Sequence, residues 1–286
     1  MSRARERFRS VLARPTYTLA ANIFDPLSAR IAHMLDYEVC FLSGSVGKVA
    51  NLGVPDIVLY NSSDSVDHCR RIMRMADVSL MLDGEEGFGN AVNTMRTIKE
   101  LEAVGVSAIE IEDNIARTQF AGDDPGLFSK AEQVGKLEAA VAARNDPGTV
   151  IVARTSALTY CPLDEALDRI NAYSQTGVEA VRLTGLRTRE QLQAIHQATP
   201  LPLTVLSPPE DMRNDPAFMA ANGVRIVMAG NPAFSIAVKA VYDCLKHLKD
   251  GGELSELSAK EASPELLREV NRTDEFIQMQ EMYLRS

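Results

Sequence analysis

The chain has 286 residues, 45% of them hydrophobic and 24% charged, and carries a net charge of -9. That balance is the balance of a soluble globular protein with enough chain for a sizeable core, and the acidic excess argues against a general affinity for nucleic acid or for anionic membrane surfaces. No apolar run is long enough to span a bilayer, and the basic N-terminus lacks the apolar stretch of a signal peptide.

Strand-like and helix-like segments alternate nearly end to end. Apolar runs at 18–23, 39–43, 57–60, 78–83, 108–112, 150–155, 180–184, 203–206 and 225–228 read as strands. Amphipathic stretches lie between most of them, for example 91–104, 129–144, 163–176 and 232–249. This alternation predicts an α/β fold with a parallel sheet, and about eight such units in this length match a closed (β/α)8 TIM-type barrel better than an open doubly wound sheet. No glycine fingerprint for a dinucleotide follows the first strand. The pair Gly251 and Gly252 divides a barrel domain, 1–250, from a helical tail, 251–286, in which 263–283 reads as a terminal helix. Cys40, Cys69, Cys161 and Cys244 are scattered without a Cys-x-x-Cys pair, which reads as reduced thiols of a cytoplasmic protein.

In a barrel of this type the strand C-termini face the active site, so the polar residues there carry the functional argument. Ser43, Gly44 and Ser45 follow one strand, and Asp56 stands beside Pro55 soon after. Asp83 and Glu85 end the run 78–83, on one face if the strand continues. Glu112 and Asp113 end the next run, and Arg154 and Thr155 the one after it. Carboxylates crowded at two strand ends repel one another unless a cation or protons offset them. They point to a divalent metal on oxygen ligands, magnesium foremost. A metal, a cation for an anionic substrate and a small-residue turn offering N–H groups suit the stabilisation of an enolate next to a carboxylate. Arg154 has a second reading, as a structural partner of Glu110 or Glu112. Glu110 points into the barrel with Glu112, and a buried pair with Arg182 is expected.

At these residues the chain resembles the isocitrate lyase/phosphoenolpyruvate mutase superfamily. The motifs, in order, are Phe24-Asp25-Pro26-Leu27-Ser28-Ala29-Arg30, Ser43-Gly44-Ser45, Pro55-Asp56, Asp83-x-Glu85-x-Gly87-Phe88-Gly89-Asn90, Ile111-Glu112-Asp113, Gly135-Lys136 and Ile151-Val152-Ala153-Arg154-Thr155. The resemblance implies a β/α barrel whose final helix is swapped between subunits of a homodimer or homotetramer. It also implies magnesium, or manganese in its place, and a 2-oxo or 2-hydroxy acid substrate. Carried over, Asp83, Glu85 and Glu112 would hold the metal, largely through waters. Ser43, Gly44 and Ser45 would grip the substrate's carboxylate and oxo group, Arg154 would neutralise the same end, and Asp56 would sit near the reacting group. Asp56, Arg154 and Ser45 are then the catalytic candidates.

The departures narrow the substrate. Glu85 stands where the superfamily usually has Asp. The segment 114–127 lacks the Lys-Lys-Cys-Gly-His motif of the isocitrate and methylisocitrate lyases and the Asn-Ser pair of the phosphonate mutases. The chain looks closest to the oxaloacetate decarboxylase subgroup, with Asn231 and Ser207, both substrate-binding candidates, at the places of its His and Tyr. The reading is a magnesium-dependent decarboxylase of an oxaloacetate-like 2-oxo acid acting through an enolate. The alternatives are a C–C lyase of a 2-hydroxy acid without the usual loop cysteine, and a weakened relative that binds a small dicarboxylate.

Overall fold

The computed structural model describes residues 2–117 and 124–284. Eight parallel strands close into a barrel in sequence order: β1 (Thr18–Ile23), β2 (Cys40–Leu42), β3 (Leu80–Asp83), β4 (Ala108–Glu112), β5 (Val150–Thr155), β6 (Ala180–Leu183), β7 (Leu203–Leu206) and β8 (Val224–Met228). β8 pairs back onto β1, with Thr18, Leu19 and Ala20 opposite Ile226, Val227 and Met228. The run 57–60, expected as a strand, is not one. It follows Pro55 in the connection before the helix Ser62–Met75, where Val58 and Leu59 are exposed and Tyr60 alone of the run is buried.

The alternation of side chains along each strand divides the barrel into two environments. Outward residues such as Leu80, Leu82, Ile109, Ile111, Ile151 and Ala153 pack under the surrounding helices. Inward residues change from apolar to charged along the barrel axis. Phe41, Met81, Ala108, Val150, Val152 and Ala180 form an apolar interior together with Phe8 and Val11 of the helix Arg3–Ala13. The next inward positions towards the strand C-termini are Glu110, Arg182, Asp83, Glu112 and Arg154. The fold thus places its charge at one end because the strand sequences run from hydrophobic to ionic in the same direction.

Two compact units emerge, Met1–Asn231 and Pro232–Ser286. The sequence places the break at 250; the helix Pro232–Lys249, which it assigns to the barrel domain, carries no buried residue and groups with the C-terminal unit. That unit continues as a 3-10 segment (Leu254–Lys260) and the helices Pro264–Val270 and Thr273–Tyr283. The expected single terminal helix over 263–283 is broken at Arg272, whose backbone is left-handed (φ 55), a conformation that ends a helix. Among the described residues no helix is long and apolar enough to cross a membrane.

Candidate active site

A cavity of about 670 Å³ opens at the C-terminal ends of the strands, and all of its lining lies within the first unit. Strand ends deliver its polar wall directly: β3 brings Asp83, β4 Glu112, β5 Arg154 and β1 the neutral amide of Asn22. Arg154 joins two of the acids, with Nη1 2.5 Å from Asp83 Oδ2 and Nη2 3.0 Å from Glu112 Oε2. The guanidinium is therefore both a strut between β3 and β4 and a member of the pocket wall. Its Nε is buried without a hydrogen-bond partner, which leaves it a donor beyond the two it has committed.

The two acids respond differently to the shared cation. Burial pushes the Asp83 carboxyl up, but Arg154, Arg182 and Lys48 outweigh it and hold the group down at about 2. Burial dominates at Glu112; Arg154 offsets it in part while Asp83 and Glu85 add repulsion, and the carboxyl is pushed up to about 8. The asymmetry follows from the company each acid keeps. Asp83 has three cations, Arg154 in the closer contact among them, and the Gly44 N–H, while Glu112 has Arg154 against the repulsion of neighbouring acids.

Glu85 departs from the expected strand geometry. β3 ends at Asp83, and Glu85 lies in a turn with left-handed backbone (φ 53), where Gly87 N–H donates to Gly84 O. Its side chain lies against the start of the helix Gly44–Leu52: a Cβ on Gly44 would sit 1.9 Å from Glu85 Oε1. There it meets Lys48 Nζ at 2.8 Å, and the same amine donates to Asp56 Oδ1 at 2.6 Å. Burial, followed by repulsion from Asp83, pushes Glu85 up to about 7 despite Lys48. Gly44 N–H donates to Asp83 Oδ2 at 3.3 Å, and the Ser43 and Ser45 hydroxyls are 2.9 Å apart at the cavity wall. The helix N-terminus they form is a site suited to an anion.

Below this level lies the expected buried pair, in which Arg182 Nη1 donates to Glu110 Oε2 while Arg182 also stacks 4.7 Å from the Phe41 ring centroid. Asp113 does not enter the cavity. Its carboxylate accepts from Thr155 Oγ1 at 2.7 Å, Ser156 N at 3.1 Å and Tyr173 Oη at 3.1 Å, which ties the end of β4 to the end of β5. Lys136 is buried on its helix with its amine 4.0 Å from the Phe128 ring centroid, and it is not among the residues that line the cavity.

The donor set fits a hard divalent cation. It is made of carboxylate oxygens, and the carboxyls of Glu85 and Glu112 are raised first by burial and further by repulsion from neighbouring acids, both of which a bound cation would offset. Among the described residues no three His, Cys, Asp or Glu side chains form a ready-made metal cage. An ion that keeps most of its waters, as magnesium does, tolerates wider spacing.

Asp56, Ser45, Ser207 and Asn231 also line the cavity, and Asn22 Nδ2 donates to Asn231 Oδ1 at 3.2 Å. The segment 114–127 reaches the cavity through Asn114, Ile115, Ala116, Arg117 and Asp124, and its residues 118–123 lie outside the described ones. Sequence reasoning missed Lys48 and Asn22. Asn22 is one strand alternation from Ala20, and Lys48 is one helical turn beyond Gly44, so both positions carried a readable signal.

The family model described as phosphoenolpyruvate phosphomutase matches residues 8–249. An oxaloacetate decarboxylase of Rhodopseudomonas palustris is 40% identical over 270 residues, covering 94% of this chain and 93% of that protein. One of Paraburkholderia xenovorans is 37% identical over 281 residues, covering 98% and 93%. Among solved structures, a phosphonopyruvate hydrolase in complex with oxalate and Mg++ superposes with a TM-score of 0.86 at 28% identity and 99% coverage of each chain.

Proposed function

The chain belongs to the phosphoenolpyruvate mutase/isocitrate lyase superfamily, and from that premise we propose that it is a magnesium-dependent lyase that decarboxylates oxaloacetate or a close 2-oxo acid. The observation that carries this reading is Arg154 held between Asp83 and Glu112 at the mouth of the barrel, in a chain similar to oxaloacetate decarboxylases over almost its full length.

A divalent ion near Asp83 and Glu112 would supply the electron sink for the electrons of the broken C–C bond. The chain's own residues do the rest. Arg154, in the wall of the cavity, binds the substrate carboxylate adjoining the oxo group. The Ser43 and Ser45 hydroxyls and the N-terminus of the helix Gly44–Leu52 share that negative charge. Asp56, Ser207 and Asn231 line the space left for the departing end, and Asp56 faces the reacting group. The low position of Asp83 keeps it ionised throughout the physiological range.

We place the enzyme in the cytoplasm as a homodimer or homotetramer. The helix Pro232–Lys249 supports that assembly, because Ile236, Val241, Tyr242 and Leu245 along it are all exposed, as expected for a helix that packs on another subunit.

The test is carbon dioxide release from oxaloacetate with magnesium and with chelator, against a no-enzyme control because oxaloacetate also decarboxylates unaided. Chelator-sensitive turnover above that control is expected. Its absence, with cleavage of a 2-hydroxy acid into two acids instead, would move the assignment to a C–C lyase of that substrate class.

A further inference from the structure

Lys48 is 5% exposed, an unusual place for an ammonium group. It has two anionic neighbours, Asp56 at 2.6 Å and Glu85 at 2.8 Å. They are not equivalent. The Asp56 side chain is 54% exposed and is solvated on its own account, whereas that of Glu85 is 13% exposed. The buried charge of Lys48 is therefore compensated mainly by Glu85, and removing one member of such a pair leaves the other uncompensated.

The backbone is arranged to make this pair. Glu85 sits at φ 53, a left-handed conformation that costs a side-chain-bearing residue free energy. Gly44 offers no Cβ, which would otherwise lie 1.9 Å from Glu85 Oε1. Asp83 and Glu112 are engaged differently: they share Arg154 and have no contact with Lys48 within ion-pair distance among the described residues. Two carboxylates share the one charge of Arg154, which leaves negative charge for a divalent ion. Glu85, by contrast, is matched by Lys48, and an ion coordinated by it would have to stand beside that ammonium group, where like charges repel strongly in a site screened from water.

We propose that Lys48 is a resident counter-cation that withholds Glu85 from the metal, so that Asp83 and Glu112 hold the divalent ion and Lys48 limits how tightly it is bound. The proposal rests on the metal-dependent reading given above and refines it: of the three acids at the site, Glu85 serves Lys48.

The test is direct titration of the full chain with Mn2+, followed by the electron paramagnetic resonance of the free ion, without substrate. The charge-balanced Lys48→Met/Glu85→Gln double variant is expected to stay within about threefold of the parent affinity, whereas Asp83→Asn weakens it by about tenfold or more. Lys48→Met is expected to bind about tenfold more tightly, a gain that disappears in the Lys48→Met/Glu85→Gln double variant. Loss of about tenfold or more in the double variant makes Glu85 a ligand and overturns the proposal. A folded Lys48→Met that binds no more tightly than the parent overturns it as well. Failure of the parent chain to bind Mn2+ at all is a different result, which removes the metal-dependent reading and this proposal together.

Discussion

Arg182 and Glu110 form an ion pair inside the barrel with side chains 2% and 0% exposed, one level below the acids of the cavity. Burial raises the Glu110 carboxyl to about 7 even with Arg182 beside it, so the pair is held together against a large desolvation cost. Breaking it from one side should cost about 3–5 kcal/mol, while replacing both partners with apolar residues of similar size should be close to neutral. Urea unfolding of Arg182→Met, Glu110→Met and the double variant measures this. A double variant as unstable as the sum of the singles would mean that the two side chains do not act as a pair.

Arg154 has a dual task, bracing Asp83 and Glu112 and meeting the substrate. Arg154→Ala should lower kcat/KM for oxaloacetate by about 10²–10³-fold. Arg154→Lys should recover little of this, because a single ammonium cannot span two carboxylates as the planar fork does. Steady-state kinetics at saturating magnesium decides the point. Recovery to the parent rate with lysine would reduce the role of Arg154 to that of a point charge.

Glu112 gives the stability of the metal-free protein a defined pH dependence. Its folded-state carboxyl is raised to about 8 from the ordinary 4.5, so between these values the folded state holds a proton that the unfolded state has lost. The contribution is fully present below 4.5 and is lost as pH rises through about 8. Glu85 and Glu110, both raised to about 7, act in the same direction. In chelator, the melting temperature of the parent should fall between pH 5 and pH 8, and Glu112→Gln should flatten that fall without removing it. An unchanged slope in Glu112→Gln would place the raised carboxyl elsewhere.

Gly84 joins Asp83 to Glu85, and a Cβ there would lie 2.5 Å from the Glu110 carbonyl oxygen. Because backbone cannot step aside as a side chain does, Gly84→Ala should destabilise the fold by about 1–3 kcal/mol. Gly135 is the contrast, since nothing lies within 4 Å of its Cβ position in the helix Lys130–Ala143. Gly135→Ala should stabilise by about 0.5–1 kcal/mol. Thermal unfolding of the two variants should move in opposite directions.

The barrel was legible in the sequence because its signal is periodic and local. Alternation along 108–112 and 150–155 gave both strands and their inward charges, and it paired Glu110 with Arg182 correctly. The same reasoning failed at 57–60, where an apolar run of strand length lies in a connection with Val58 and Leu59 exposed and Tyr60 alone buried. It also failed at Glu85, where strand alternation was extended two residues past the end of β3 into a turn. Lys48 escaped because its importance comes from a contact 37 positions along the chain, to Glu85. Spacing within one helix can say which face a side chain occupies but not which acid it will meet.

The pairing of Thr18, Leu19 and Ala20 with Ile226, Val227 and Met228 bears on how the chain is made. During synthesis β1 emerges early and its final partner late, so one edge of the growing sheet stays open until nearly all of the barrel sequence has left the ribosome. Phe8 and Val11, which belong to the barrel's apolar interior, must wait equally long for a place to go. The nascent chain thus passes through a stage with an unpaired strand edge and exposed aromatic surface, features that promote aggregation. Demand for chaperones should therefore peak as β8 emerges, well before the C-terminal helices are complete.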